Sequence, residues 1–67
     1  MKSGLPSLRA LRTVRDLTQA GLADKAGLTQ ATISDLESGR QQMATFSTLR
    51  RLAKALGVSV GDLFEKP

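Results

Sequence analysis

The sequence predicts a small all-α domain of five helices, and three observations lead to that prediction. The chain has 67 residues, which is enough for one hydrophobic core and leaves no room for a second domain. Apolar residues recur at spacings of three and four in successive segments, and glycines follow several of these segments. No extended run of alternating apolar and polar residues indicates a sheet. We therefore treat residues 1–67 as a single compact helical domain.

The first predicted helix begins after Pro6 and carries an apolar stripe. Leu8, Leu11 and Val14 follow one another at a spacing of three, which places them on one inward face. Ser7 stands where its side chain can cap the first turn. We expect this helix to end near Asp16, because aspartate tolerates a left-handed backbone.

The second and third predicted helices span residues 19–26 and 30–38. Each follows a threonine whose hydroxyl can accept a bond from a free backbone N–H, and each ends at a glycine, the residue that favours a left-handed C-cap. These punctuating residues are Thr18, Gly27, Thr29 and Gly39. Because two short helices joined by a tight glycine-containing turn form a helix-turn-helix, the sequence predicts that motif at about residues 19–38.

The fourth and fifth predicted helices complete the domain. The fourth follows Thr45 as its cap and ends at Gly57, and its inward positions are Phe46, Leu49, Leu52, Ala53 and Leu56. The fifth is short and begins after Ser59. It contributes Val60, Leu63 and Phe64.

Composition narrows the function classes. The chain has no Cys and no His, so disulfides, zinc fingers, imidazole metal sites and Cys or His catalysis are excluded, and we expect neither an enzyme nor a cofactor. The net charge of +4 favours a polyanionic partner. Two Phe, with no Tyr or Trp, disfavour stacking on single-stranded bases, which leaves double-stranded DNA. No apolar run is long enough to span a membrane, and we expect a cytoplasmic protein.

The outward face of the third helix suits base edges better than phosphates. If Ile33 and Leu36 point inward, this face presents short amide, methyl, hydroxyl and carboxylate groups. A glutamine can pair with adenine, an alanine can meet a thymine methyl group, and an aspartate can accept from cytosine. The candidate base contacts are therefore Gln30, Ala31, Ser34 and Asp35. The alternative is an ordinary solvated helix face.

Several short motifs strengthen this interpretation. They are Leu17-Thr18-Gln19, Leu22-Ala23, Gly27-Leu28-Thr29, Thr32-Ile33-Ser34, Leu36-Glu37-Ser38-Gly39, Leu52-Ala53-Lys54-Ala55-Leu56-Gly57-Val58-Ser59 and Asp62-Leu63-Phe64. Together they resemble the Xre-type helix-turn-helix family of phage repressors and Cro proteins, over nearly the whole chain. The resemblance implies a lambda-repressor-like five-helix domain whose third helix enters the major groove. It also implies a transcriptional regulator, usually a homodimeric repressor on a palindromic operator.

Further residues take expected roles. Gln19 and Thr29 lie at helix N-termini, where N–H groups favour phosphate oxygens. Ser38, Arg40, Gln41 and Gln42, at and beyond the end of the third helix, complete the candidate backbone contacts, although Arg40 could simply be a solvated cation near the helix end. The resemblance further implies a structural ion pair between Arg12 and Glu37.

The remaining expectations concern partners. The family commonly dimerises through its C-terminal part, so Val58, Val60, Leu63 and Phe64 are candidate dimer residues. Arg50, Arg51 and Lys54 are expected on a solvated face away from DNA. One alternative function is an antitoxin or another protein-interaction module, whose main partner is a protein such as a toxin and whose DNA binding is secondary. Another is a restriction-modification controller.

Overall fold

The computed structural model describes Leu5, residues 7–39 and residues 45–64. These residues form four α-helices and one 3-10 turn, and they contain no strand. The helices are α1 (Leu8–Val14), α2 (Gln19–Ala26), α3 (Gln30–Ser38) and α4 (Phe46–Leu56), and the turn is Gly61–Leu63. The all-α prediction is confirmed, but the fifth helix is not, because its described part is only a single 3-10 turn.

The helices α2, α3 and α4 begin and end at the predicted residues. The hydroxyl oxygen of each capping threonine accepts a bond from the backbone N–H three residues later, at 2.9–3.2 Å. Each helix is followed by a glycine with φ between 70° and 86°, a conformation that costs residues with a Cβ more than glycine. The caps are Thr18, Thr29 and Thr45, and the glycines are Gly27, Gly39 and Gly57.

Helix α1 differs in two respects from the prediction. Ser7 occupies the N-cap position, but its buried hydroxyl makes no capping bond. Val14 is 78% exposed, so its expected inward position is wrong. The helix is only seven residues long, and the chain turns away through Asp16, whose φ of 56° is left-handed as expected. The contact of α1 with the core is therefore centred on its first turn, where Leu8 is fully buried.

The core lies where α2 packs against α3 on one side and α4 on the other. Its fully buried side chains are Leu8, Leu22, Ile33, Leu36, Leu52, Leu56 and Leu63. Leu5 is also buried, and its N–H donates to the Leu36 carbonyl at 3.2 Å, so the segment before α1 is tied to the end of α3. Phe46 is 65% exposed, which contradicts its predicted inward position: it is the first residue of α4, and its ring lies outside the core.

The 3-10 turn is closed by a reciprocal cap. The backbone N–H of Ser59 donates to Asp62 Oδ2 at 3.1 Å, and the N–H of Asp62 donates to Ser59 Oγ at 3.3 Å. This cap presents Leu63 to the core, where its side chain has no exposed surface. A short segment thus closes the end of the core beside α4.

Candidate nucleic-acid interface

Helix α3 has one buried face and one accessible face. Ile33 is 0% exposed and Leu36 is 1% exposed, so these two side chains fix the rotation of the helix against the core. The predicted base-contact residues lie on the other side. Gln30 and Ala31 are exposed there, and Ser34 and Asp35 are partly exposed. The structure thus leaves all four predicted residues with accessible surface on the same helix.

The first turn of α3 is ordered by Thr29. Its Oγ1 accepts from the N–H of Thr32 at 3.2 Å and shares a hydrogen bond with the Thr32 hydroxyl at 2.9 Å. The Thr29 side chain is therefore committed largely to capping. The N–H groups of Gln30 and Ala31 have no carbonyl partner within the helix, since the first turn lacks a preceding turn to supply one. An anion at this end would meet these two donors as well as the helix dipole.

An ion pair connects α1 to the end of α3. Arg12 donates from Nε to Glu37 Oε2 at 2.7 Å and from Nη2 to Glu37 Oε1 at 3.1 Å, which is a bidentate arrangement. A third bond runs from Arg12 Nη1 to the Leu17 carbonyl at 2.8 Å. The hydrogen bond to Glu37 raises the pKa of the Arg12 guanidinium, against a smaller opposing effect of burial. The expected pair is therefore present, and it joins the break after α1 to the last turn of α3.

Gln19 belongs to the same network, which the sequence did not indicate. Its Nε2 donates to Glu37 Oε1 at 3.1 Å, so one carboxylate receives donors from both α1 and α2. One side-chain N–H of Gln19 is thus occupied inside the protein, which leaves the other side-chain N–H and the backbone N–H of this first helical residue to meet a phosphate. A shallow groove lies over this junction, lined by Arg9, Arg12, Gln19, Ser34, Glu37 and Ser38.

The end of α3 carries the other predicted backbone contacts. Ser38 is exposed, and its hydroxyl donates to the Asp35 carbonyl at 3.3 Å. The last three candidates, Arg40, Gln41 and Gln42, lie outside the described residues. Their expected phosphate contacts remain predictions from the sequence.

Arg51 has a structural contact that the sequence did not reveal. Its Nη1 donates to the carbonyl of Gly27, at the turn between α2 and α3, and the two atoms are 3.4 Å apart. A cation beside this carbonyl complements the negative end of the α2 dipole. Arg51 is exposed as expected, and it gains this additional contact because α4 packs against α2 and brings the side chain to the turn.

The predicted dimer residues divide into two groups. Leu63 is 0% exposed within its own chain, so it has no surface to offer a partner and its assignment is corrected to the core. Val58 and Val60 are partly buried against that same core. Phe64 is 52% exposed and is the large accessible apolar side chain of this region.

The described residues also bear on metal binding and on membrane insertion. No group of three or more acidic side chains in Leu5, 7–39 or 45–64 is arranged to hold a metal ion. Within these same ranges, every helix is too short or too polar to cross a bilayer.

Comparison with known proteins gives the family. Residues 8–63, which span all four helices and the 3-10 turn, match a family model described as helix-turn-helix. The chain belongs to the Xre-type helix-turn-helix family. The second helix of the motif is α3, the position that the recognition helix occupies in DNA-binding helix-turn-helix proteins.

Individual Xre-type relatives are regulators of transcription. The immunity repressor protein of Bacillus phage phi105 is 42% identical over 56 residues, covering 84% of this chain and 38% of the relative. The restriction-modification controller C.AhdI from Aeromonas hydrophila superposes with a TM-score of 0.80 at 33% identity, covering 85% of each chain. SinR from Bacillus subtilis, solved in complex with DNA, gives a TM-score of 0.82 at 26% identity, covering 87% of this chain and 92% of SinR.

Coverage differs among these similarities. The chain spans less than half the length of the curated relatives it matches. The same fold also occurs in Fe(II) HppE, which was solved with its substrate: the TM-score is 0.78 at 33% identity, and the match covers 33% of that chain. A helix-turn-helix domain can therefore stand within a larger protein of another function.

Proposed function

We propose that this chain is a sequence-specific regulator of transcription that binds double-stranded DNA by placing α3 in the major groove. The observation that carries this proposal is the accessible side of α3 with Gln30, Ala31, Ser34 and Asp35, which we call its outer face. The buried side chains of Ile33 and Leu36 hold this face in place within a complete helix-turn-helix. The similarity to SinR, which was solved with DNA, supports it. We also propose that the protein acts in the cytoplasm, where its duplex target would lie. Its proposed role is binding, without a catalytic step.

The proposed base contacts follow from side-chain chemistry. Gln30, at the exposed start of α3, can pair with N6 and N7 of adenine, and Ala31 can contact a thymine methyl group. One turn later, Asp35 can accept from N4 of cytosine, and Ser34 can bond to either kind of edge. A bidentate pair of this kind discriminates between bases by about 1–3 kcal/mol.

The proposed backbone contacts lie at both ends of the motif. Gln19 offers its remaining side-chain N–H at the start of α2, and Thr29 stands at the positive end of the α3 dipole. Ser38 and the following residues extend this set on the sequence evidence alone; they are Arg40, Gln41 and Gln42. Such contacts set the register of the protein on the duplex and carry no sequence information.

The Arg12–Glu37 pair has a proposed role in orientation. Glu37 lies in the last turn of α3, and its carboxylate is held from α1 by Arg12 and from α2 by Gln19. Bonds from two directions limit rotation of α3 about its axis, as do the buried Ile33 and Leu36. We expect this restraint to keep the outer face directed toward the base edges.

A homodimer is part of the proposal. Phe64, with the accessible parts of Val58 and Val60, supplies apolar surface at one end of the domain. If this surface lies on a two-fold axis, two α3 helices can address successive major grooves about 34 Å apart. Phe64→Ser is expected to shift the monomer–dimer equilibrium toward the monomer, as measured by sedimentation equilibrium. Val14→Ser, at a more exposed apolar position on α1, is expected to leave that equilibrium unchanged. Equal effects of the two variants would contradict this interface.

Two glutamines provide a matched test of DNA recognition. Gln30→Ala is expected to relax specificity at one base position, because it removes a base contact and leaves the core intact. Gln19→Ala is expected to weaken binding to all sequences alike, since it removes a backbone contact while Arg12 still holds Glu37 through two bonds. Fluorescence anisotropy against duplexes that vary one base pair at a time separates these outcomes. The assignment fails if Gln30→Ala leaves the pattern of base preference intact.

A second candidate function is control of a restriction-modification system. It is favoured by the similarity to C.AhdI, which superposes with a TM-score of 0.80 at 33% identity. Mapping of bound sites in the source genome would distinguish the two, because a controller should occupy sites beside restriction-modification genes. An antitoxin remains an alternative hypothesis, which co-purification with a toxin would support.

A further inference from the structure

The outer side of α4 combines an exposed aromatic ring with positive charge. Phe46 is 65% exposed, although a benzyl side chain in water is unfavourable. Arg50, one turn later, places its guanidinium carbon 5.9 Å from the centre of the Phe46 ring. The two side chains therefore form one accessible unit on the face of α4 opposite the core.

This unit borders an open groove. The groove is lined by Phe46, Ser47, Arg50, Arg51 and Lys54, which we call the basic face of α4. A second depression continues from it across the end of α2, sharing Arg51 and Lys54 and adding Lys25. Among the described residues, neither lining contains a carboxylate, so Arg50, Arg51, Lys54 and Lys25 adjoin one another without a described negative side chain among them.

Structural roles account for only part of this charge. Arg51 donates to the Gly27 carbonyl, and Arg50 contacts the Phe46 ring. In the described ranges, the ion pair within 4.0 Å is that of Arg12 with Glu37, and neither of these residues lines the two grooves. Beside these contacts, the cations of the basic face of α4 repel one another, because like charges on one helix face are unfavourable. An external anion would relieve that repulsion.

The surroundings favour a polypeptide over a duplex as the source of that anion. Helix α4 packs mainly against α2 and the 3-10 turn, whereas α3 packs mainly against α2 and α1. The basic face of α4 therefore does not belong to the outer face of α3. An exposed phenyl ring gives no hydrogen bond to a phosphate backbone, but it can bury the apolar side chain of a peptide beside the groove.

We propose that the basic face of α4 is a docking surface for an acidic polypeptide segment that carries an aromatic or aliphatic side chain. Carboxylates of the segment would pair with Arg50, Lys54 and Lys25, and its apolar side chain would pack against Phe46. Such a contact would attach a protein partner to the domain while the outer face of α3 stays accessible. The inference does not depend on the proposed base contacts.

A synthetic peptide tests this surface directly. The probe is a short fluorescein-labelled peptide rich in glutamate with one central phenylalanine, titrated with the whole chain at low and physiological salt. We expect binding that shifts the backbone amide signals of α4, and about tenfold weaker binding for Phe46→Ala and for Arg50→Ala. Matched controls are Val14→Ala and Arg15→Ala, which remove an exposed apolar side chain and an exposed arginine from α1; these should change affinity by less than about twofold.

Control peptides and DNA complete the experiment. A peptide with glutamine in place of glutamate should lose binding, and one with serine in place of phenylalanine should bind less tightly. No binding of the acidic peptide, or equal loss in the α1 and α4 variants, overturns the proposal. So does an Arg50→Ala variant that weakens duplex binding more than Arg15→Ala does, because the surface would then serve nucleic acid. Loss of all DNA binding with the peptide result intact would refute only the proposed function.

Discussion

Replacement of Arg12 by alanine is expected to destabilise the domain by about 2–3 kcal/mol. The variant loses two bonds to Glu37 and one to the Leu17 carbonyl. Breaking a fully buried ion pair costs about 3–5 kcal/mol, mainly because it leaves an uncompensated charge. Here the side chains are 14% and 6% exposed, and Gln19 still donates to Glu37, so we place the loss below that range.

Urea unfolding followed by circular dichroism measures this loss. A loss of 1 kcal/mol lowers the melting temperature of so small a domain by roughly 4–8 °C, so the melting temperature of Arg12→Ala should be lower than that of the wild type by roughly 10–20 °C. Arg15→Ala is the control, since its guanidinium donates only to an exposed Leu11 carbonyl, and we expect a change below about 0.5 kcal/mol. Arg12→Lys should lie between them, because an ammonium cannot reproduce the fork.

The raised pKa of Arg12 also predicts how the stability contributed by the ion pair varies with pH. Its raised pKa means that the charged pair contributes its full stability below the pKa of the unfolded chain and loses it only as the pH rises through the higher folded value. The deficit of Arg12→Ala relative to the wild type, measured near neutral pH, should therefore not depend on deprotonation of the guanidinium. A stability equal to that of Arg15→Ala would refute the structural role of the pair.

Three further sets of substitutions test the left-handed glycines, the α3 cap and the core. Gly27→Ala and Gly57→Ala should each cost about 1–2 kcal/mol in urea unfolding, because both positions have φ near +70°; stabilisation by either would contradict the left-handed geometry. Thr29→Ala should cost about 1 kcal/mol through loss of the α3 cap, and Thr29→Ser should restore most of it. Leu52→Ala, at 0% exposure, should cost about 2–5 kcal/mol by calorimetry, whereas Phe46→Ala, at 65%, should cost less than about 1 kcal/mol; similar losses would place Phe46 in the core after all.

The sequence predicted the elements whose boundaries depend on local chemistry. Helices α2, α3 and α4 each lie between a threonine cap and a left-handed glycine, and both signals act within a few residues. Asp16 was assigned its left-handed backbone for the same local reason. Helical spacing likewise separated the buried and accessible sides of α3.

What the sequence could not predict depends on packing between distant residues. Helical spacing assigns Val14 and Phe46 to inward stripes, but each stands at a helix end that extends beyond the core. The bond from Gln19 to Glu37 joins residues 18 positions apart, and that from Arg51 to Gly27 joins residues 24 positions apart. Neither pair has a spacing signal, because a helix brings together only residues three or four apart.

Selection of bound duplexes from a random pool tests the central claim most directly. The chain, at a stated salt concentration, is mixed with duplexes of random sequence, and the retained molecules are sequenced over successive rounds. If the outer face of α3 discriminates base edges, the pool converges on one defined motif, and a dimer adds a second, symmetry-related half about 34 Å away. A pool that keeps its random composition, or that is not retained at all, would contradict the account.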